Sequence, residues 1–401
     1  MPQPVRIEPD REFINELREA GGDTLKRCYQ CATCSVVCPL APEDNPYPRK
    51  EMIWAQWGLK DKILDDIDIW LCHNCGACSD YCPRGANPAE LLAAARNITY
   101  KKLTKPAILG TWMSSPKHLP KLIAIPALLF LIIWAISTGL SIPEGEIVFG
   151  KVFPGDYTID PVFSLAFFFV LFTFYRGVTK MWKGFKEKTP TTFFVGPYKK
   201  PNFFEAARDV ALDEIVTHRK WKECGDVTQA DEQKFKGHFL VFWAFIALFA
   251  VTTIVFLGHW GGKVMHFIAP MGHTPMHLLN PVKLLANAGA IALVVGLWFL
   301  TKRRLDKDRE KDSSSYYDWY LLGVIWAVAI TGILSELLRL ADAASLAYPI
   351  YYVHLVAVFM LIAYLPWSKL GHLVYRTTAL IFTRMTGRVP APPVQKKTFE
   401  I

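Results

Sequence analysis

Eight of the chain's nine cysteines fall in two runs of identical spacing. Cys28, Cys31, Cys34 and Cys38 form the first, Cys72, Cys75, Cys78 and Cys82 the second, and a proline follows the last cysteine of each. C-x2-C-x2-C-x3-C-P is the bacterial arrangement that holds a [4Fe–4S] cubane, and in two-cluster proteins the fourth cysteine of each run ligates the other cluster. One cubane is therefore expected on Cys28, Cys31, Cys34 and Cys82, the other on Cys72, Cys75, Cys78 and Cys38. Structural zinc would use two C-x2–4-C pairs and leave half of these cysteines idle. Disulfides need an oxidising compartment, and the charged residues 1–19 do not read as a secretory signal. Cys224, the ninth, has no partner spacing and reads as an ordinary thiol.

Four of the ten histidines form the second constellation. His238 and His259 bracket one long apolar stretch; His354 lies early in another and His372 just past its end. An ionisable residue in a membrane span is a functional candidate by default. If the helix continues from His354 to His372, 18 residues later, both rings project from nearly one face, about 27 Å apart. His238 and His259 are 21 residues apart, about 31 Å and some 60° out of phase. On antiparallel helices His238 meets His372 near one membrane face and His259 meets His354 near the other. Two stacked bis-histidine sites of this kind hold two b-type haems across a helical bundle. The bland alternative is histidines snorkelling at helix ends. His266, His273 and His277 are possible substitutes for His259, and His218 reads as a solvated residue.

The elements that must position these residues follow from hydropathy. Apolar residues make up 52% of the 401-residue chain, concentrated after about residue 118. Six stretches, near 119–140, 161–178, 238–259, 281–301, 319–340 and 350–367, are long enough to span a bilayer. Basic residues crowd the loop 179–237 (Lys180, Lys183, Lys186 and others), the next loop on that side (Lys302 to Lys311) and the tail. The opposite loops carry only Lys151, Lys263 and Lys283. By the positive-inside rule the cysteine module and both termini face the cytoplasm of a multi-pass inner-membrane protein. The formal charge of +9 is thus a topology signal and implies no nucleic-acid partner. The layout is a two-[4Fe–4S] module at 1–105, a linker at 106–118, a six-span di-haem domain at 119–382 and a loosely ordered basic tail at 383–401. Apolar residues at helical spacing also predict an amphipathic helix near 202–221, suited to a membrane surface or a partner.

The double cysteine module resembles the small ferredoxin-like C subunit of heterodisulfide reductases. The six-span part, with His354 and His372, resembles their cytochrome b subunit and that of respiratory nitrate reductase. Fused, the two are similar to the C subunit of the quinone-interacting membrane-bound oxidoreductase complexes of sulfate reducers. The resemblance implies a mostly α fold: a ferredoxin-like helical module followed by a six-helix cytochrome b bundle. It also implies two [4Fe–4S] clusters, two haems b and menaquinone. Electrons would pass from menaquinol to heterodisulfide-reductase-A-like flavoprotein subunits and onward to adenylylsulfate reductase. The chain has no Cys-Cys-Gly run, the feature shared by disulfide-cleaving relatives, so conduction is expected here without a disulfide substrate site. The nitrate reductase likeness points to a quinol site near His259 and His354. Glu336 and Arg339, three residues apart on one helical face, are candidates to line it. Lys263, His273, Tyr351 and Tyr352 are further candidates at the same depth. Rival readings are a membrane subunit linked to heterodisulfide or sulfite reductase, and a zinc-binding, non-redox adaptor.

Overall fold

The computed structural model describes residues 8–41, 45–188, 201–218, 229–310 and 315–386, with side chains at all but 229–233 and 307–310. Cys224, residues 219–221 of the expected surface helix and tail residues 387–401 lie outside these ranges. Among the described residues the regular structure is all helical.

The N-terminal module is built on α1 (Arg11–Leu17), α2 (Arg49–Gln56) and α3 (Pro88–Leu103). Asp10 caps α1 by accepting the Phe13 N–H at 2.8 Å. Pro88 opens α3, Glu90 lies in its first turn and Lys101 and Lys102 in its last, an order that suits the helix dipole. Leu91, Leu92, Ala95 and Ile98 of α3 bury against Phe13, Leu17, Met52 and Trp70. One cysteine loop lies between α1 and α2, the other immediately ahead of α3, so the packed helices hold both loops at one end of the module.

Six helices that follow are long and apolar enough to cross a membrane. They are α4 (Leu119–Thr138), α5 (Asp160–Lys188) and, after the short loop helix α6 (Phe203–Val210), α7 (Gln229–Gly262), α8 (Pro281–Glu310), α9 (Tyr316–Leu340) and α10 (Ala344–Ala363). Leu165 and Phe168 of α5 and Ile136 of α4 lie outward and exposed. Such an apolar girdle is at home in lipid, where helices satisfy every backbone group internally. α7 packs on α8, closely enough that a Cβ on Gly237 would stand 3.1 Å from the Gly296 carbonyl oxygen. α10 packs on α9, α4 and α5.

The expected continuous helix from His354 to His372 does not form. α10 stops at Ala363, two short turns follow (Leu365–Trp367 and Lys369–Gly371), and α11 (His372–Thr386) starts afresh. Pro366 has no N–H to continue the ladder, which explains the break. Freed from the span, α11 docks on the module. Tyr375 packs its ring 5.5 Å from Trp70 and 6.0 Å from Tyr100, and Phe174 of α5 closes the group at 5.5 Å. Such aromatic pairs contribute about 0.5–1.5 kcal/mol each beyond their burial. Module and bundle therefore share one core through α5 and α11. The expected linker is itself partly helical (Ala107–Met113) and packs on Lys101 of α3 through Gly110. Asp65 of the module adds ion pairs to Lys102 and to Lys188 at the end of α5.

Candidate functional site

The two cysteine loops share one backbone trace. Gln30 and Ala32 in the first, and Asn74 and Gly76 at the same places in the second, all adopt left-handed conformations. This curls each loop so that backbone N–H groups face sulfur: Gln30 N–H to Cys28 Sγ at 3.5 Å and Asn74 N–H to Cys72 Sγ at 3.2 Å. Short helices, Thr33–Val36 and Ala77–Asp80, then carry the third cysteine of each run inward. The eight cysteines are all free of disulfides. Cys82 of the second run lies close enough to Cys28 to act on its ionisation, alongside Cys31. Cys38 of the first run stands in the same way beside Cys78, with Cys72 and Cys75. One cavity is lined by Cys38, Cys72, Cys75 and Cys78 together with Tyr47 and Ala89. The loops thus bring Cys82 near Cys28 and Cys38 near Cys72, Cys75 and Cys78, and Cys34 and Cys78 meet over Ala89 where the two sets adjoin. Burial pushes the Cys34 thiol up to about 11. Such a thiol ionises at neutral pH only beside a compensating positive charge, and a coordinating metal deprotonates it outright. The donor set fits two cubanes.

A second cavity lies where the bundle meets the module, lined by His218, His238, His372, Arg376, Phe242 and Glu214 among others. The rings of His238 (α7) and His372 (α11) have centroids 6.3 Å apart at 72°. Two imidazoles bound by ring nitrogens about 2 Å from one metal have centroids roughly 6 Å apart. His372 Nδ1 lies 2.7 Å from the Lys369 carbonyl, which can only accept, so Nδ1 carries the proton and Nε2 the lone pair. Burial holds this imidazole down to about 4, hence neutral at pH 7. The His238–His372 pair is brought together as expected, and its donor chemistry would suit a haem.

Two cations join this cavity to the second cysteine loop. Arg376 Nη2 lies 2.6 Å from His73 Nδ1, and His73 directly follows Cys72. Lys234, one turn before His238 on α7, donates to the carbonyls of His73 (2.7 Å) and Asn74. The first cysteine loop instead faces outward, with Cys31, Tyr29 and Val36 exposed.

At the opposite end of the bundle the expected His259–His354 pair is not assembled. His259 is turned to Asp156, which also binds Lys263 at 2.7 Å, and Trp260 donates to Asp160 at 2.8 Å. The reason is helix packing: α7 lies on α8, whereas α10 lies on α9, α4 and α5. His354 sits against Gly332 of α9 with Nδ1 3.0 Å from the Thr331 hydroxyl. That hydroxyl gives its own hydrogen to the Ala327 carbonyl at 2.5 Å. It therefore accepts from His354 Nδ1, which leaves the lone pair on Nε2, as in His372.

The quinone candidates are also redistributed. Glu336 pairs across to Lys283 of α8 (2.8 Å) and Asn287 (3.3 Å), so its carboxylate is engaged by another helix. Tyr351 stacks on Phe149 at 4.1 Å and lies near His354, Tyr352 donates to the Ala127 carbonyl at 2.8 Å, and His273 is exposed. His218, expected in solvent, is buried, and its Nε2 lies 3.0 Å from His238 Nδ1. It sits past α6, whose capping box (Asn202 with Glu205, both bonds 2.9 Å) starts a helix that packs on α11. The amphipathic pattern at 202–221 announced that helix; nothing in the spacing tied His218 to a residue 20 positions on. Arg376 and His73, 303 positions apart, were equally out of reach of any local pattern.

Comparison with known proteins follows the same division. A family model described as a 4Fe-4S dicluster domain matches residues 24–86. One described as citrate utilization protein B matches residues 119–393. The C subunit of the H2:CoB-CoM heterodisulfide,ferredoxin reductase of Methanothermobacter marburgensis is 39% identical over 93 residues, which is 23% of this chain and 50% of that protein. The C2 subunit of the H2/formate:CoB-CoM heterodisulfide,ferredoxin reductase of Methanococcus maripaludis is 37% identical over 103 residues, 24% of this chain and 55% of that one. The chain thus spans about half the length of these curated relatives. Citrate utilization protein B of Escherichia coli is 25% identical over 326 residues, 78% of this chain and 80% of that protein. No solved structure matches. The iron–sulfur module is an electron-transfer module related to the C subunit of heterodisulfide reductases, and the chain as a whole, its membrane helices matched from Leu119 onward, belongs to the citrate utilization protein B family.

Proposed function

We propose that this chain is the membrane electron-transfer subunit of a quinone-linked oxidoreductase complex. It oxidises menaquinol and delivers the electrons to soluble flavin- and iron–sulfur-containing partner subunits. Bound at the cysteine and histidine sites, two [4Fe–4S] clusters and b-type haem supply the one-electron carriers. The single observation that supports the reading best is the direct bonding of the second cysteine loop to the histidine cavity through Arg376 and Lys234.

The residues have separable tasks in this reading. His238 and His372 offer ring nitrogens to the haem nearer the module, and Lys369 holds His372 in the ligating tautomer. His354, held alike by Thr331, stays as a histidine of the second haem; His259, paired with Asp156, leaves that role. Cys38, Cys72, Cys75 and Cys78 form the site nearer the membrane bundle. Cys28, Cys31, Cys34 and Cys82 form the site nearer the partner, with Cys31 exposed. The positive-inside bias puts the module in the cytoplasm, where the partners would be heterodisulfide-reductase-A-like subunits leading to adenylylsulfate reductase. A complex of heterodisulfide-reductase or citrate-utilisation type without quinone is the second reading, favoured by the likeness of both halves to such proteins.

The test is an anaerobic optical and EPR study of the purified chain with iron and haem quantitation. About eight non-haem irons, b-type bands and reduction by menaquinol are expected. Cys82→Ser should erase the signal of the first site and Cys38→Ser that of the second, against the order of the runs. Iron and haem that menaquinol leaves oxidised would favour the second reading; zinc without iron would overturn both.

A further inference from the structure

We propose that His218 is a positioning residue for the ring of His238, fixing which of its nitrogens faces His372. The inference rests on the haem reading of this cavity. His218 is 2% exposed, and it comes from the loop between the second and third spans, outside the bundle proper. Its Nε2 lies 3.0 Å from His238 Nδ1, with ring centroids 5.1 Å apart. Two imidazole nitrogens at that distance share one proton, so one ring donates and the other accepts. For His238 to offer Nε2 towards His372 its Nδ1 must carry the proton, and the Nε2 of His218 is the acceptor in place for it. His238 then carries its lone pair on Nε2, the state that Lys369 imposes on His372 and Thr331 on His354.

Phe235, Phe239 and Phe242 of α7 surround the His218 ring edge-on at centroid distances of 6.4, 5.7 and 5.3 Å. These contacts leave His218 little rotational freedom. Glu214, one turn earlier in the same segment, reaches Arg384 of α11 at 3.9 Å. The loop segment is thus fastened to both helices that carry the histidine pair. Its task follows from that placement: partners behind a ligating histidine orient the ring and set its basicity, and their loss typically costs about 10–100-fold in affinity for the metal group.

The experiment compares His218→Ala and His218→Gln in the full-length protein, with the cluster EPR signals as a control for folding. The readouts are haem content, the low-spin EPR signal and the midpoint potential of the haem nearer the module. Haem must first be found in the unaltered protein; its absence there would refute the haem reading itself, separately from this inference. With haem present, His218→Ala should weaken retention about 10–100-fold and diminish the low-spin signal. His218→Gln, whose amide oxygen accepts from His238 Nδ1, should restore both. Unchanged retention, spin state and potential in His218→Ala would overturn the inference. So would haem loss that His218→Gln fails to rescue while the clusters stay intact, because His218 would then be a ligand itself.

Discussion

Replacing Asp318 with asparagine should destabilise the protein by about 3 kcal/mol and loosen the histidine cavity with it. The Asp318 side chain is 2% exposed at the start of α9, where it accepts the Ser315 hydroxyl at 2.8 Å and pairs with Arg304 at 3.2 Å and with Lys369. Asparagine keeps the shape but leaves two cations facing each other without an anion. Removing one partner of a buried ion pair costs about 3–5 kcal/mol. The Lys369 and Arg304 side chains retain 27% and 25% of their exposure, which places the loss at the lower end. At about 1.4 kcal/mol per decade, that is roughly a 100-fold shift in the unfolding equilibrium. The effect reaches the cavity because the Lys369 carbonyl holds His372 Nδ1. Denaturant titration of detergent-solubilised protein, followed by tryptophan fluorescence, reads the stability; haem content reads the cavity. The double variant Asp318→Asn/Lys369→Met should recover part of the loss, since one stranded cation is gone. A single variant within about 0.5 kcal/mol of the parent, or a double variant no better than the single, would refute the reasoning.

Two further outcomes follow from the module and its seam with the bundle. Glu51 is 1% exposed, with Lys50 at 3.3 Å and the carboxylates of Asp66 and Asp68 beside it. Burial, then the charge of Asp66, pushes its pKa well above the ordinary 4.5. Above 4.5 the unfolded chain has lost a proton that the folded chain keeps, so stability should fall as pH rises from there through the raised value. Glu51→Gln should flatten that slope in unfolding curves taken between pH 5 and 8; an unaltered slope would move its origin elsewhere. At the seam, a Cβ on Gly177 would collide with Tyr375 Oη. Gly177→Leu should therefore part α5 from α11 at a cost of about 1–3 kcal/mol, seen as faster hydrogen exchange at Trp70 and Tyr375. Unchanged exchange there would show that the seam tolerates the added bulk.

Cluster chemistry was legible in the chain alone because its ligands repeat at short, chemically diagnostic spacing. Cys28 to Cys38 and Cys72 to Cys82 each lie within a single loop, and the backbone curls both loops alike at Gln30 and Ala32, Asn74 and Gly76. The six spans were legible for a related reason: burial in lipid is decided by length and apolarity, which are local properties. The meeting of His238 with His372 came through even though the helix expected to carry His372 breaks at Pro366, because the turns that follow return His372 to the same end of the bundle. Only tertiary structure decided the rest. Helix-on-helix packing turned His259 to Asp156 and Glu336 to Lys283, brought His218 from a surface loop onto His238, and set Arg376 on His73. Each of those contacts joins residues on different elements, and their choice depends on which ridges of neighbouring helices interlock. Periodicity along one helix names the face a residue occupies. It does not name the helix that face will meet.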